Sequence, residues 1–128
     1  MEVHRSIPGI TVPPCERTFG FVFRMTEEQK QEAALYYQSR FETAVQESVK
    51  GQYDLLILDE ILASCNYGMV RETSVVEFLQ NRPEKLEVVL TGRNPSETFL
   101  ELADYVSEIC MRRHPYEKGI PARRGIEF

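Results

Sequence analysis

Hydrophobic residues recur at helical spacing in the stretch that follows residue 26. Thr26 and Gln29 have the spacing of a capping box, in which each side chain satisfies a backbone amide of the other residue. The apolar positions behind them recur every three or four residues and are Ala34, Tyr37, Phe41, Ala44, Val45 and Val49. Gly51 is of a type favoured at the C-terminal end of a helix. The pattern therefore predicts a helix over residues 27–50.

Three shorter runs are apolar without helical periodicity. Continuous apolar runs of this length, bounded by polar turns, are typical of strands buried on both faces of a parallel sheet. We therefore predict parallel strands in one sheet at Leu55–Leu58, Val88–Thr91 and Tyr105–Ile109.

Helical signals separate these strands. The sequence predicts a short helix over residues 61–66 and another over 74–80. Residues 94–97 combine an N-cap asparagine, a proline and a glutamate, so a further helix is expected over 95–103. Helices that alternate with buried strands indicate an α/β fold, in which ligands bind beyond the carboxyl ends of the strands.

Composition indicates one globular domain. The 128 residues are 42% hydrophobic and 27% charged, with 15 Lys and Arg against 20 Asp and Glu. A net charge of −5 argues against nucleic-acid binding, which rewards clustered cations. No run approaches the roughly 18 apolar residues of a membrane span, and residues 1–5 do not resemble a signal peptide. We therefore expect no contact with nucleic acid or membrane.

The cysteines do not indicate a metal site. Cys15, Cys65 and Cys110 are widely spaced, and the chain has only two histidines. A zinc site needs about four such ligands at closer spacing. Idle or buried thiols in a reducing compartment are the expected state.

Polar residues with ligand-binding chemistry follow the first two strands. Leu55–Leu58 runs directly into Asp59-Glu60, which is the form of a Walker B strand. Magnesium prefers oxygen ligands and keeps most of its waters, so carboxylates at a strand end suit it. Acids that merely face water at the end of a strand explain this pattern equally well. Thr91-Gly92-Arg93 follows the second strand, where glycine permits close approach and arginine offers a planar fork for phosphate, although such glycines are also common in turns.

Two further segments carry residues of ligand-binding types. Gly20-Phe21-Val22-Phe23 alternates rings around a valine. A small edge strand packed in the core is the favoured interpretation, and a loop that presents the rings to a flat ligand is the alternative. The tail is cationic through Arg112, Arg113, His114, Lys118, Arg123 and Arg124. Most charged tails are merely solvated. This tail, however, has glycines and prolines but few Ser or Gln, which is not typical of a disordered segment.

The order of these segments is more specific than any one of them. Along the chain stand Gly20–Phe23, a long helix, Asp54–Glu60, Asn66–Gly68, Asn81–Pro83, Leu90–Arg93, Leu102–Asp104, His114–Tyr116 and Gly125–Phe128. Together they resemble the ATP:corrinoid adenosyltransferases of the cobalamin pathway. The resemblance covers nearly the whole chain and is strongest from Tyr53 to Phe128.

The resemblance implies a RecA-like P-loop fold of three layers with a mostly parallel sheet, truncated at its N-terminus. A single domain then spans 1–128, with a corrinoid-facing loop region at 1–25, an α/β body at 26–110 and a tail at 111–128. The resemblance also implies a cytoplasmic homodimer that uses ATP, magnesium and a corrinoid such as cobalamin, whose cobalt an external flavoprotein reduces. That cobalt attacks the 5′ carbon of ATP, and triphosphate is released.

The same resemblance assigns roles to residues. Glu60, beside Asp59, matches the metal-binding carboxylate. Phe21 and Phe23 match an aromatic pair that displaces the lower ligand of cobalamin, which raises the cobalt potential so that a weak reductant can deliver the last electron. The residues expected to contact the nucleotide are Thr91, Gly92, Arg93 and Arg123.

The chain departs from the family in two places. The family begins with a glycine-rich P-loop ending in Lys-Thr, and no such loop occurs in the 128 residues. A fragment, a misplaced start and a paralogue that lost the loop all fit this observation. In a RecA-like sheet the P-loop strand lies between the Walker B strand, here Leu55–Leu58, and the next strand. Its absence therefore predicts a gap of one strand spacing, about 5 Å on each side. Direct pairing of the flanking strands or a segment of a second chain would fill it. In addition, Phe23 stands where the family usually has tryptophan.

Two rival functions fit parts of the pattern. A non-catalytic module would keep the corrinoid-facing loop or the dimer surface without alkylating cobalt. A remnant of an unrelated P-loop nucleotidase would need only the Walker B-like strand, but the aromatic pair and Gly125–Phe128 count against it.

Overall fold

The computed structural model describes residues 7–51 and 53–126. The helices are α1 (Glu27–Lys50), α2 (Ile61–Asn66), α3 (Glu72–Asn81) and α4 (Glu97–Leu102), the strands are β1 (Leu55–Leu58) and β2 (Glu87–Leu90), and short 3₁₀ helices cover Val22–Arg24 and Pro115–Lys118. The predicted α/β class is confirmed, and it is consistent with part of a RecA-like P-loop fold. None of the helices in the described ranges is long and apolar enough to cross a membrane.

Local contacts explain both ends of α1. The predicted capping box is present, because Thr26 Oγ1 accepts from the Gln29 amide at 3.3 Å and Gln29 Oε1 accepts from the Thr26 amide at 2.9 Å. Gly51 ends the helix with helical dihedral angles (φ −81°) rather than in the left-handed region. A Cβ at Gly51 would lie only 2.5 Å from the Tyr53 ring. Close approach of the chain, and not a left-handed backbone, therefore makes glycine suitable here.

The two strands pair in parallel, with Leu58 opposite Leu90. The side chains that pack against the core are Leu56, Leu58, Val88 and Leu90. The side chains on the opposite face, between 43 and 57% exposed, are Leu55, Ile57 and Val89. The parallel direction is as predicted, but burial on both faces is wrong, because the core cluster of the described residues engages only one face of the sheet.

The third predicted strand, Tyr105–Ile109, does not form. These residues have no regular secondary structure, and Tyr105 and Ile109 are 94 and 100% exposed. A strand needs a hydrogen-bonded neighbour, and the sheet within the described residues consists of β1 and β2. Those two strands pair directly with each other, so the expected gap between them is absent. Direct pairing is the alternative that the structure adopts.

The core lies between the inner face of the sheet and the helices. Phe41 of α1 meets Phe78 of α3 edge to face, with ring centroids 6.3 Å apart. Val75 is fully buried beside them, and Leu62 of α2 and Phe99 of α4 belong to the same cluster. Burying a large apolar side chain contributes about 1.5–3 kcal/mol, so these contacts hold the helices to the sheet.

The segment before α1 lies along that helix. Arg40 donates to the Pro14 carbonyl at 2.6 Å, and Arg17 forms an ion pair with Glu32, also at 2.6 Å. Phe19 packs against the rings of Tyr36 and Tyr37, with centroids 5.5 and 5.7 Å away. These contacts anchor the chain just before the aromatic segment at residues 20–23.

Candidate functional site

The carboxyl ends of β1 and β2 bring the predicted polar residues together. Because the strands are parallel and in register, Asp59 follows β1 beside Thr91, which follows β2. The Thr91 hydroxyl donates to Asp59 Oδ1 at 2.7 Å and accepts from the Glu60 amide at 2.9 Å. The Thr91 carbonyl accepts from the Leu62 amide at 3.3 Å. Hydrogen bonds thus join the two strand ends into one cluster of oxygen atoms.

Glu60 occupies an uncommon backbone conformation in this cluster. Its dihedral angles are φ 56° and ψ 24°, in the left-handed region, at the N-cap position of α2. Residues other than glycine rarely adopt this conformation, and such outliers cluster at functional sites. Its exposed carboxylate makes no capping hydrogen bond to the helix. The turn therefore presents the Glu60 side chain to solvent next to Asp59.

Gly92 lies where a side chain would collide. Its φ is +140°, and a Cβ built on it would lie 2.7 Å from the Leu62 Cβ. The sequence left two reasons open for this glycine, namely close approach of a ligand and a turn. The structure adds a packing reason, because the chain after β2 passes directly against the first turn of α2.

A hydrogen-bonded amide fixes the loop that carries Arg93. Asn66 Nδ2 donates to the carbonyls of Arg93 and Asn94, each at 3.1 Å. Asn94 itself adopts a left-handed backbone with φ 53°. The Arg93 guanidinium is exposed and forms no ion pair with the described residues. The sequence singled out Asn66 only as part of the Asn66–Gly68 segment of the resemblance, and that segment gave no signal of this long-range contact.

The oxygen cluster fits a magnesium ion held in part by substrate. Nowhere in the described residues do three His, Cys, Asp or Glu side chains gather to hold a metal. Asp59 and Glu60 offer two adjacent carboxylates, which is the number that magnesium takes when waters and phosphates supply its other ligands. A depression of about 230 Å³ lies between α1 and the end of β1, and its lining includes Asp59 but not Glu60, Thr91 or Arg93; it is smaller than the roughly 300–1,000 Å³ of sites that enclose a small molecule. The described residues thus form an open edge rather than a closed pocket.

The aromatic segment is exposed and not part of the core. Phe21 and Phe23 are 66 and 75% exposed, and their rings stack with centroids 5.3 Å apart. The favoured expectation of a buried edge strand is wrong, since Val22–Arg24 is a 3₁₀ turn. The Arg24 guanidinium lies 5.8 and 5.5 Å from the two ring centroids, within cation–π range. Most of the surface of both rings therefore faces solvent, and they stack on each other.

The tail keeps its cations in solvent. The side chains of Arg112, Arg113, Lys118, Arg123 and Arg124 are exposed, and so is that of His114. His114 Nδ1 caps the 3₁₀ helix by accepting from the Tyr116 amide at 3.1 Å. The predicted orderly ending extends to residues 127–128, which lie outside the described residues.

The thiols take no part in this site. Burial, with a smaller effect of the Glu72 carboxylate, raises the pKa of Cys65 from 9.0 to about 11. Cys65 therefore stays protonated at neutral pH, while Cys15 and Cys110 are free and exposed. The half-buried state of Cys65 agrees with the expected inert thiol. Cys15 and Cys110 are exposed, so of the two expected states, buried or idle, they are not buried.

Comparison with known proteins identifies relatives for nearly the whole chain. The family described as ATP:corrinoid adenosyltransferase BtuR/CobO/CobP matches residues 2–128. A corrinoid adenosyltransferase of a Sinorhizobium species is 41% identical over 75 residues, covering 58% of this chain and 35% of that protein. One from Pseudomonas aeruginosa is 29% identical over 109 residues, covering 85 and 53%. One from Escherichia coli strain K12 is 36% identical over 75 residues, covering 59 and 38%.

The chain spans between about a third and a half of the length of these relatives. The family match is nevertheless continuous over 2–128, so it includes the aromatic segment, both strand ends and the tail. The predicted family is confirmed by this match. The chain belongs to the ATP:corrinoid adenosyltransferase family.

Proposed function

We propose that this protein transfers the 5′-deoxyadenosyl group of ATP to the reduced cobalt of a corrinoid and releases triphosphate. The observation that carries the proposal is the hydrogen-bonded edge where Asp59, Glu60 and Thr91 meet beside Arg93. Family membership supplies the reaction, and this edge supplies groups suited to its anionic leaving group. The setting that the family resemblance supports is a homodimer in the cytoplasm, with a flavoprotein that reduces the cobalt of the corrinoid.

Asp59 and Glu60 are the proposed magnesium ligands. The Thr91 hydroxyl occupies Asp59 Oδ1 and leaves Asp59 Oδ2 and the Glu60 carboxylate to face a ligand. These residues would hold a magnesium ion, which when bound would supply positive charge to offset that of the triphosphate leaving group. The carboxylates would bind the ion only through one or two bonds, so its remaining ligands come from phosphate oxygens and water.

Arginine and backbone groups complete the proposed phosphate side. The Asn66 amide holds the Arg93 loop, so the Arg93 guanidinium extends from a fixed backbone. A guanidinium binds phosphate through two parallel hydrogen bonds, which also fixes orientation. Gly92 lets phosphate approach the backbone, and Arg123 of the tail adds positive charge. Fixed orientation matters because displacement at the 5′ carbon requires the cobalt and the leaving oxygen to lie in line.

Phe21 and Phe23 are the proposed corrinoid-facing residues. Their stacked, exposed rings form a flat apolar edge of the kind that displaces a lower axial ligand. Removing that donor from cobalt raises its potential and makes the last reduction accessible. Their position relative to the nucleotide edge stays a prediction.

A direct test uses a longer chain that carries a glycine-rich Lys-Thr loop upstream of residue 1. Chemically reduced cobalamin and magnesium ATP are mixed with enzyme, and the cobalt–carbon product is followed by absorbance. Glu60→Gln should lower kcat by about a hundredfold, since an ion ligand is lost where charge develops. Glu47→Gln, a like change on α1, should leave the rate unchanged. Equal rates in E60Q and the parent would refute the metal role.

A non-catalytic corrinoid-binding module is the second candidate. It is favoured by the exposure of the aromatic pair Phe21 and Phe23. Fluorescence quenching of the 128-residue chain by cobalamin, without ATP turnover, would support it.

In the loop-complete chain, replacing Phe21 and Phe23 by alanine should slow adenosylation of cobalamin far more than of a corrinoid without a lower ligand. Equal losses on both substrates would show that the rings serve packing alone.

A further inference from the structure

The single hydroxyl proton of Thr91 is already engaged in a hydrogen bond. The hydroxyl donates that proton to Asp59 Oδ1 at 2.7 Å and accepts the Glu60 amide proton at 2.9 Å. A hydroxyl has one proton to donate, so while this network stands Thr91 has none for a phosphate oxygen. Thr91 therefore cannot donate a hydrogen bond to the nucleotide while the observed hydrogen bonds are present.

The partners of Thr91 are the two residues that the magnesium role requires. Asp59 is held through its carboxylate, whereas Glu60 is held through its backbone in the left-handed conformation. The adjacent carbonyl of Thr91 also accepts from the Leu62 amide at 3.3 Å. These bonds bracket Glu60 on both sides. An uncommon backbone conformation persists only where its surroundings overdetermine it, and Thr91 supplies that constraint.

We infer that Thr91 is a positioning residue, which holds the Asp59–Glu60 turn in the conformation that presents both carboxylates. This inference rests on the proposed function for the value of the turn to metal binding. It refines the expected contact of Thr91 with the nucleotide, because the hydroxyl acts through Asp59 and Glu60. The threonine side chain is suited to the position because it is half-buried between two strand ends and needs only one donor and one acceptor.

The test compares three variants of the 128-residue chain by NMR. Thr91→Val keeps the shape and removes the hydroxyl, Thr91→Ser keeps the hydroxyl, and Thr98→Val makes the same change at an exposed site on α4. The hydroxyl of Thr98 makes no hydrogen bond within the described parts of the chain. Two quantities are measured: the exchange rate of the Glu60 amide proton, and the Mn²⁺ concentration that half-broadens the Glu60 signal.

We expect T91V to speed exchange at the Glu60 amide by about tenfold or more, as for the loss of a hydrogen bond in a charged network. The Mn²⁺ concentration that half-broadens the Glu60 signal should rise by a similar factor. In T91S and T98V both quantities should stay near their values in the parent chain. Unchanged Glu60 exchange in T91V would overturn the inference, as would faster exchange of the same size in T98V. Faster exchange with unchanged Mn²⁺ affinity would overturn it too, because the bond would then not serve the site.

A second measurement covers the case in which T91V does not fold. Glu60→Gly removes the cost of the left-handed backbone, so T91V should be much less damaging in an E60G background, as judged by urea unfolding. Equal destabilisation in both backgrounds would overturn the positioning role. Absence of Mn²⁺ broadening in the parent chain would instead refute the proposed metal function, and the exchange rates and the urea cycle would still decide the role of Thr91.

Discussion

Gly92 joins two constraints in one residue. Its φ of +140° lies where L side chains are rarely found, and its missing Cβ leaves room for the Leu62 side chain. Gly68 has a φ of +70° but open space where a Cβ would be. The two glycines therefore separate the cost of backbone conformation from the cost of a collision.

We predict that Gly92→Ala destabilises the chain by about 3 kcal/mol or more, because strain and overpacking act together. Gly68→Ala should cost only about 1–2 kcal/mol, the penalty of a left-handed backbone. Urea unfolding followed by circular dichroism measures both. If the two variants were equally stable, the collision at Leu62 would have no energetic weight.

The raised pKa of Cys65 makes a prediction about reactivity. The thiolate is the reactive form, and raising the pKa from 9.0 to about 11 lowers its population near pH 8 by about a hundredfold. Iodoacetamide at pH 8 should therefore modify Cys15 and Cys110, which are exposed, well before Cys65. Modification of Cys65 should accelerate as the pH rises toward 11. Mass spectrometry of the peptides measures each site, and equal rates at pH 8 would contradict the protection.

At the scale of elements, α1 depends on its N-terminal cap. The helix has 24 residues, and its capping box satisfies amides that the helix cannot satisfy internally. Glu27 and Glu28 in the first turn add favourable charge at the positive end of the helix dipole. The start of α1 also sets where the aromatic segment, residues 20–23, joins the helix.

Thr26→Ala should lower the free energy of unfolding by about 1 kcal/mol, the usual cost of losing a threonine N-cap. Thr43→Ala is the matched control, since Thr43 lies within the helix and its hydroxyl bonds to the Ser39 carbonyl at 2.9 Å. Alanine is favourable inside a helix, so T43A should be neutral or slightly stabilising. Urea midpoints give the comparison, and a T26A midpoint equal to that of T43A would deny the cap its role.

At the scale of the whole molecule, the sheet carries apolar side chains on both faces and the core covers one. A two-stranded parallel sheet is a small platform, and parallel strands are normally buried on both faces. Leu55, Ile57 and Val89 remain in contact with solvent. The open edge formed by Asp59, Glu60 and Thr91 lies at one end of this small sheet.

We predict that the 128-residue chain alone does not adenosylate cobalamin and binds ATP weakly. Its cationic groups attract triphosphate, but without P-loop amides and lysine they do not orient it, and misplacement by about 1 Å costs on the order of a hundredfold in rate. Binding should weaken further between low and physiological salt, because exposed charges are screened. A chain extended upstream by a P-loop should regain tight binding and turnover. Comparable turnover by the short chain would refute this prediction.

The sequence by itself determined the elements whose signals are local. The capping box places the start of α1, and apolar runs ending in Asp59-Glu60 and Thr91-Gly92-Arg93 place two parallel strands. These features depend on neighbouring residues along the chain, so pattern reading suffices for them. The family was likewise readable, because the order of its segments is preserved over residues 2–128.

Only the tertiary structure decided what depends on contacts between distant residues. Tyr105–Ile109 has the pattern of a strand but lacks a neighbour to pair with, and Phe21 and Phe23 have the hydrophobicity of a core but no apolar surface to cover them. The bonds of Thr91 to Asp59 and Glu60 join residues about thirty positions apart, and so do those of Asn66 to the Arg93 loop. Hydrogen-bond partners and burial are properties of the packed chain, and neither periodicity nor composition encodes them.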